Sequence, residues 1–315
     1  MSKILVTGAT GQIGSELTLA LREKYGSENV IAVGHSKAPD EALMKSGPYE
    51  TLDATDKTAM QDLLEKYGID TIYHLVGILS AKGEEMPDLA WKVNMESLKN
   101  VLDLARDMKL AKIFWPSSIA AFGPTTPRDN TPQQTILEPN TMYGVTKVSG
   151  ELLCNYYFMK YGVDVRSLRY PGLISYKTPP GGGTTDYAVA IYFDAVKNKK
   201  YTCFVNKDTV LPMMYMPDAI RGTIDLMEAD PSKITVRQSY NITAMSFSAE
   251  ELAESVAKRI DGFTCEYQPD HRQKIADSWP KSIDDAQARK DWGWKPEFDL
   301  EKMTEDMVKN IKSGD

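Results

Sequence analysis

A short apolar segment at the start of the chain runs directly into a turn with three evenly spaced glycines. A β-strand is predicted over residues 3–7 and a helix over Gln12–Tyr25, and the turn between them carries Gly8, Gly11 and Gly14. The first glycine of such a turn permits a sharp bend, the second lets backbone approach a pyrophosphate, and the third allows the helix to pack closely on the strand. A helix N-terminus also attracts negative charge. This order of elements predicts a dinucleotide-binding unit, although an ordinary tight turn would use glycine too.

Short apolar strands continue to alternate with helices as far as residue 170. Strands are predicted at 29–33, near Leu52, and at 71–76, 112–115 and 163–168, and helices at 56–67, 87–108 and Met142–Tyr161. This alternation is typical of a parallel sheet whose two faces are covered by helices. The chain is therefore predicted to be α/β, with a Rossmann-like doubly wound parallel sheet and a smaller C-terminal substrate-binding subdomain.

The regular alternation stops after residue 170, where prolines and the run Gly181-Gly182-Gly183 interrupt it. We expect a dinucleotide-binding domain over residues 1–170 and a substrate-binding subdomain over 171–315, unless the chain crosses back to the first sheet. The glycine run reads equally well as a linker between the two parts or as the hinge of a lid that orders on substrate. Helices are predicted after Asp186, at 217–227 and 249–260, and from Leu300.

The composition of the 315 residues excludes several classes of protein. With 42% hydrophobic and 26% charged residues, the chain has the composition of a soluble globular protein. A net charge of −7 argues against partners such as nucleic acid or an anionic membrane. No apolar run is long enough to span a membrane, and no signal-like segment precedes the first strand, so we expect a cytoplasmic protein.

The three cysteines and three histidines are scattered along the chain. An odd number of widely separated cysteines fits a reducing compartment better than a disulfide framework. No Cys/His spacing typical of zinc is present in the sequence. We therefore expect the chemistry to need no metal.

A tyrosine and a lysine lie four residues apart at Tyr143 and Lys147, on one face of a predicted helix. A phenol normally titrates near ~10, and a neighbouring ammonium lowers that pKa, which would make the pair a general base for a hydroxyl group. The same spacing recurs at Tyr156 and Lys160. For this second copy we expect only a helix that packs its aromatic side chains inward.

Two other segments bear on the site. Ser118 ends a predicted strand, and in an open parallel sheet such ends line the ligand crevice. This serine could therefore orient a reacting oxygen against Tyr143. On its own, a serine at this position is more often a helix cap or turn residue.

The second strand lacks the acidic residue that holds the adenosine ribose of NAD, and Gly34-His35-Ser36-Lys37 stands there instead. NADP therefore stays open beside NAD. Asp53 could bond the adenine amine or cap the next helix.

These residues, with Tyr170-Pro171-Gly172, resemble the extended short-chain dehydrogenase/reductase family, a group that includes NAD-dependent epimerases and dehydratases. The resemblance implies that Tyr143 is the general base, that Ser118 polarises the reacting group, and that Lys147 binds the nicotinamide ribose while lowering the Tyr143 pKa. For Asn94 a cofactor contact and a structural role are equally open. The cofactor contacts that the resemblance implies are Gly8, Thr10, Gly11, Gln12, Ile13, Asp53, Ala54, Leu75, Gly77, Asn94, Lys147 and Tyr170.

Within this family the chain is most similar to the short-chain type of L-threonine 3-dehydrogenases, through residues 77–81, 169–175, 181–188, 211–216 and 272–280. The similarity implies oxidation of L-threonine to 2-amino-3-oxobutanoate with hydride transfer to NAD+. It implies that Ser80 and Thr185 hold the carboxylate and amino groups, with Gly183 giving backbone access and Trp279 closing the pocket over Ser118 and Tyr143. Two helices, 87–108 and 142–161, resemble those that pair across a two-fold axis in the family, so we expect a homodimer.

Two other functions remain open from the sequence. A nucleotide-sugar epimerase or dehydratase could use the same first half, but it would need cations for a diphosphate, for which Arg221, Arg237 and Arg272 are available. A non-catalytic regulator that senses a dinucleotide would not need the set of Ser118, Tyr143 and Lys147. That set favours the enzyme.

Overall fold

The computed structural model describes residues 2–313. The β-strands of this part of the chain are β1 Ile4–Thr7, β2 Val30–Gly34, β3 Tyr49–Thr51, β4 Thr71–His74, β5 Lys112–Ser118, β6 Val165–Tyr170, β7 Gly172–Ile174, β8 Lys200–Cys203, β9 Val210–Tyr215, β10 Tyr240–Asn241, β11 Met245–Ser248 and β12 Thr264–Tyr267. The α-helices are α1 Gln12–Tyr25, α2 Glu41–Lys45, α3 Lys57–Tyr67, α4 Ser80–Glu85, α5 Pro87–Trp91, α6 Ser97–Met108, α7 Met142–Tyr161, α8 Tyr187–Asn198, α9 Met216–Glu228, α10 Ala249–Ala257, α11 Arg272–Ala276, α12 Ala286–Trp292 and α13 Leu300–Ser313.

Seven strands form one parallel sheet in the spatial order β10-β6-β5-β4-β1-β2-β3. The order reverses direction between β1 and β4, which leaves a crevice outside the carboxyl ends of these strands. This arrangement confirms the predicted α/β, Rossmann-like fold.

Alternate residues of the strands point to opposite faces of the sheet, and both faces are buried. On β1, Ile4 and Val6 belong to the core that includes Leu17 and Leu21 of α1. Leu5 belongs to the opposite core, with residues of α3, α6 and α7. Because both faces are covered, the central strands β1 and β2 are apolar at nearly every position, which explains why they were recognisable in the sequence.

Two helices near the site begin at conventional capping residues. The Asp56 carboxylate accepts a hydrogen bond from the Ala59 amide and so caps α3. Thr141 caps α7 through the Gly144 amide, and Gly162 ends that helix with φ of +71°. The predicted helix over 87–108 is one helical run with a π-helical turn, Lys92–Glu96, between α5 and α6.

The C-terminal part of the chain contributes to both halves of the structure. Strand β10 pairs in parallel with β6, so the chain does cross back to the large sheet. A separate core is built by α8, α10 and α13 around the smaller sheets β11-β9-β7 and β12-β8. None of the strands of these smaller sheets was predicted, because they lie in a region of mixed and interrupted patterns. The domain boundary at residue 170 stays a prediction.

None of the helices in residues 2–313 combines the length and the apolar character that crossing a membrane requires.

Candidate active site

Two adjoining cavities lie at the carboxyl edge of the large sheet. The inner cavity, of about 160 Å³, lies between the ends of β5 and β6, the start of α7 and the segment after the glycine run. The outer cavity, of about 410 Å³, lies over the glycine turn and the ends of β2 and β3. The two share Leu75, Val76 and Gly77, so they form one continuous crevice.

Most of the predicted site residues line this crevice. The inner cavity is lined by Gln12, Ile13, Leu75, Gly77, Ser80, Ser118, Tyr143, Lys147, Tyr170, Gly183, Thr185 and Trp279. The outer cavity is lined by Gly8, Thr10, Gly11, Asp53, Ala54, Leu75 and Gly77.

The glycine turn has the geometry that a dinucleotide requires. Gly8 has φ of +72°, and a Cβ atom there would lie 2.9 Å from the carbonyl carbon of Leu75. A Cβ atom at Gly14 would lie 2.2 Å from the carbonyl oxygen of Gly8, so only glycine lets α1 start this close to the strand. No side chain caps the N-terminus of α1, and its first turn holds no acidic residue. The helix therefore presents its N-terminus to the crevice without a competing carboxylate, as a pyrophosphate needs.

The catalytic tyrosine predicted from the sequence is buried at the start of α7. Its side chain and that of Ser118, the last residue of β5, both line the inner cavity. Burial raises the pKa of Tyr143 to about 12, and the Ser118 side chain opposes that rise. The structure thus brings the serine and the tyrosine to the same cavity, and their catalytic roles stay a prediction.

The predicted effect of Lys147 on the Tyr143 pKa is not observed in this arrangement. The Lys147 Nζ atom donates a hydrogen bond to the carbonyl oxygen of Pro116 at 2.6 Å and lies 5.3 Å from the centre of the Tyr143 ring. Burial lowers the pKa of Lys147 to about 7, with Cys154 and Glu151 opposing the shift. Because the amine is desolvated and directed at a backbone carbonyl, burial outweighs any influence of its charge on the phenol.

The second Tyr-x-x-x-Lys pair lies outside the site, but the prediction that it packs inward is wrong. Tyr156 is 42% exposed. Its hydroxyl accepts a hydrogen bond from Lys160 Nζ at 2.7 Å, which lowers the pKa of Tyr156. Tyr156 and Lys160 therefore form the hydrogen bond expected of a catalytic pair, but neither residue lines the crevice.

The opposite wall of the inner cavity comes from the predicted substrate residues. Ser80 and Trp279 are 4% and 5% exposed, and Thr185 is half-buried. The glycine run before Thr185 is fixed by Asp186, whose carboxylate accepts hydrogen bonds from the amides of Gly182 and Gly183 at 2.7 and 2.8 Å. Asp186 precedes α8, but its carboxylate does not cap that helix and turns back to order the loop.

Asn94 lies behind the crevice and does not line either cavity. Its side chain bonds both backbone groups of Ile78 and the hydroxyl of Thr146, from within the π-helical turn. Of the two roles left open by the sequence, the structural one is the role seen here. Asn94 supports the loop that carries Gly77.

Thr184 and Lys92 are among the residues of the crevice that had not been singled out in the sequence. Thr184 is buried beside the inner cavity, and its hydroxyl has no partner among the described residues. Its position directly after the glycine run was the signal that could have identified it. Lys92 lines the outer cavity from the π-helical turn, and nothing in the local sequence marked it.

Within residues 2–313, no group of three or more His, Cys, Asp or Glu side chains is arranged to hold a metal ion. The cysteines Cys154, Cys203 and Cys265 are free. That the chemistry needs no metal stays a prediction.

Comparison with known proteins identifies the family to which the chain is similar. Residues 4–243 match the NAD dependent epimerase/dehydratase family. The chain is 51% identical over 313 residues to an uncharacterized epimerase/dehydratase of Staphylococcus haemolyticus, covering 99% of this chain and 98% of the relative.

Two solved structures illustrate the similarity in three dimensions. The holo form of a GalE-like L-threonine dehydrogenase from Cupriavidus necator is 54% identical, with a TM-score of 0.96 over 98% of this chain and 99% of that one. A monomeric L-threonine 3-dehydrogenase from a metagenome, in its apo form, is 52% identical, with a TM-score of 0.94 over 98% and 99%.

Proposed function

The chain belongs to the NAD dependent epimerase/dehydratase family, and we propose that it is a dehydrogenase that oxidises the side-chain hydroxyl of L-threonine to 2-amino-3-oxobutanoate. The observation that carries the proposal is the composition of the inner cavity, where the pair of Ser118 and Tyr143 faces Ser80, Thr185 and Trp279. The L-threonine dehydrogenases of similar structure support the same substrate.

In this reaction Tyr143 accepts the proton of the substrate hydroxyl. A hydrogen bond from Ser118 to the same oxygen would hold it against the phenol and stabilise the charge that develops on it. When bound, the nicotinamide of the cofactor supplies the acceptor for the hydride that leaves the carbinol carbon.

The burial of Tyr143 affects its proposed role as a general base in two ways. Exclusion of water strengthens every hydrogen bond to the reacting oxygen. The same burial holds the pKa of Tyr143 at about 12, so the phenolate needs stabilisation by Ser118 and by a positive charge nearby. Burial lowers the pKa of Lys147 to about 7, and in its protonated form this side chain, with Nζ 5.3 Å from the ring centre, would supply that charge.

The size and polarity of the inner cavity favour a small amino acid. Drug-sized ligands occupy pockets of roughly 300–1,000 Å³, whereas the inner cavity has about 160 Å³. The hydroxyl groups of Ser80 and Thr185 offer hydrogen bonds to the carboxylate and amino groups of the substrate. Trp279 supplies an apolar wall that would keep water from the site.

The nucleotide-sugar alternative lacks its cations. Arg221, Arg237 and Arg272 do not line the inner cavity. Each is engaged in an ion pair with a neighbouring aspartate, at 2.6 Å in all three cases. A sugar diphosphate in this crevice would therefore find none of them free to bind it.

The test is an absorbance assay for reduced nicotinamide with purified protein, L-threonine, and NAD+ or NADP+ in parallel. We expect turnover of L-threonine with at least one cofactor and no reaction of UDP-glucose. Reaction of UDP-glucose without reaction of L-threonine would reject the proposal. Cofactor binding in the absence of any turnover would favour the regulator instead.

We also propose a homodimer formed through α5, α6 and α7. The outer face of α7 carries Val145, Leu152, Tyr156 and Met159, all of which are exposed. Trp91 and Leu89 of α5 extend the same kind of surface. Apolar residues at helical spacing on a surface are typical of an interface, although one relative of similar structure is described as monomeric.

A further inference from the structure

The end of β2 has no room for an acidic side chain, because another residue occupies the space. A Cβ atom built at Gly34 would lie 2.1 Å from the hydroxyl oxygen of Tyr49 and 3.0 Å from the Cγ2 atom of Thr10. Gly34 does not have a positive φ, so its backbone conformation does not require glycine. The Tyr49 hydroxyl, which has no hydrogen-bond partner within residues 2–313, stands where a carboxylate at position 34 would begin.

The lack of an acidic residue at position 34 changes the groups that would surround the adenosine ribose of a bound dinucleotide. An acidic residue at the end of β2 accepts a hydrogen bond from a ribose 2′-hydroxyl and repels a 2′-phosphate. With glycine at position 34 and a neutral phenol beside it, both effects are lost. The position neither selects the free hydroxyl nor excludes a phosphate.

The residues around this position provide positive charge and hydrogen-bond donors. His35, Ser36 and Lys37 follow Gly34 directly, are exposed, and line the outer cavity. Lys37 forms no ion pair with any residue in the described part of the chain. Lys92 lines the same cavity from the opposite side. A lysine and a hydroxyl beside a helix N-terminus are groups that bind phosphate well.

The carboxylates near the outer cavity are already occupied. Asp53 is the only acidic residue among its described lining residues, and it accepts hydrogen bonds from the amide and hydroxyl of Thr55 at 2.9 and 2.8 Å. Asp40, close by, caps α2 through the Leu43 amide. Glu16 bonds Ser175 and lies 3.5 Å from Lys177. None of these acids neutralises Lys37.

We propose that the outer cavity binds the 2′-phosphorylated form of the nicotinamide dinucleotide, NADP+, in preference to NAD+. Lys37 and Ser36 hold the 2′-phosphate, and Lys92 adds positive charge around it. The Tyr49 hydroxyl donates a hydrogen bond to the phosphate or the ribose. The inference rests on the proposed binding of a nicotinamide dinucleotide but not on the identity of the substrate.

The test measures binding of adenosine nucleotides by calorimetry, without substrate and without turnover. Adenosine 2′,5′-bisphosphate is expected to bind about tenfold more tightly than adenosine 5′-monophosphate, which is the gain from one charge-assisted hydrogen bond. Adenosine 3′,5′-bisphosphate carries the same charge at the wrong position and is expected to show little of this gain. Equal affinity for the two bisphosphates would mean that the protein attracts any additional phosphate charge without recognising its position, and would overturn the proposal.

Two variants locate the effect on the named residues. Lys37→Ala should abolish most of the preference for the 2′-phosphate and leave binding of the 5′-monophosphate unchanged. Lys45→Ala, which removes an exposed lysine of α2 outside the outer cavity, is the matched control and should preserve the preference. An identical response of the two variants would contradict the assignment.

A further variant places an acidic residue at the end of β2 and should reverse the cofactor preference. Gly34→Asp combined with Tyr49→Phe removes the hydroxyl that blocks the space, and should favour the 5′-monophosphate and NAD+ over their 2′-phosphorylated counterparts. Because binding is measured without L-threonine, a failure of threonine turnover and a preference for NAD+ are separate results. Only the second would reject the inference.

Discussion

The Nζ atom of Lys147 lies 2.6 Å from the carbonyl oxygen of Pro116 and donates a hydrogen bond to it, inside a fully buried site. The indole ring of Trp115 lies beneath the same amine, with its centre 4.5 Å away. Both neighbours lie on β5, which ends at Ser118. The strand that carries the serine therefore also holds the lysine, and both side chains line the inner cavity beside Tyr143.

Replacement of Lys147 by methionine is expected to change how stability depends on pH. Burial lowers the Lys147 pKa from 10.5 in the unfolded chain to about 7 in the folded protein, so between these values the unfolded chain binds the extra proton. Stability of the parent protein therefore rises with pH across this window, by about 2 kcal/mol from pH 7 to pH 9. Urea denaturation at both pH values should show this rise in the parent but not in Lys147→Met. The exposed Lys160→Met is the control and should behave like the parent.

Loss of the Tyr143 hydroxyl should abolish turnover and spare cofactor binding. Tyr143→Phe removes the group that accepts the substrate proton, and general acid–base catalysis contributes about 10²–10⁴-fold in rate. We expect at least that loss in kcat with an unchanged dissociation constant for the cofactor. Tyr156→Phe alters the exposed copy of the same motif and should retain full activity. Equal loss of activity in the two variants would reject Tyr143 as the base.

His74 should make the protein sensitive to mild acid. It is fully buried between the hydroxyls of Thr7 and Ser97, and burial lowers its pKa from 6.5 to about 3. Below pH 6.5 the unfolded chain takes up a proton that the folded protein does not, so this group's contribution to stability is lost as the pH falls. The loss is about 2 kcal/mol between pH 6.5 and pH 5. The variant His74→Gln should lack that portion of the pH dependence, and matching slopes for parent and variant would show that His74 is not its source.

Replacing only one partner of the buried ion pair between Glu151 and Arg169 should strongly lower the free energy of unfolding. The two side chains are each 1% exposed and share hydrogen bonds of 2.6 and 2.8 Å between α7 and β6. Glu151→Leu or Arg169→Met alone leaves a buried charge uncompensated, at a cost of about 3–5 kcal/mol. The double variant Glu151→Leu, Arg169→Met should cost less than the sum of the single changes. Additive costs in urea denaturation would mean that the two groups act independently.

The proposed dimer can be tested on α7. Leu152 is 54% exposed on the outer face of that helix, and Leu152→Glu should convert a dimer to a monomer in light scattering coupled to gel filtration. Met44→Glu changes an equally exposed apolar residue on α2 and should leave the mass unchanged. A monomeric parent protein would rule the dimer out.

The amino-acid sequence was sufficient to predict the framework of the large sheet. Its central strands β1 and β2 are buried on both faces and are almost entirely apolar, and the turns between strands carry local signals such as Gly8 and Asp56. Ser118 and Tyr143 were also predictable, because each lies at a defined end of a strand or helix. These features depend on local chain geometry and on the periodicity of apolar residues.

Only the tertiary structure decided how the two Tyr-x-x-x-Lys pairs differ. Both have the same spacing on the same helix, yet Tyr143 is 9% exposed and Tyr156 is 42% exposed. The direction of Lys147 toward Pro116, the space that Tyr49 takes beside Gly34, and the Asp186 contacts with the glycine run likewise join residues from different elements. Burial and the choice among hydrogen-bond partners depend on what the rest of the fold packs around a side chain. Helical spacing alone carries no information about that.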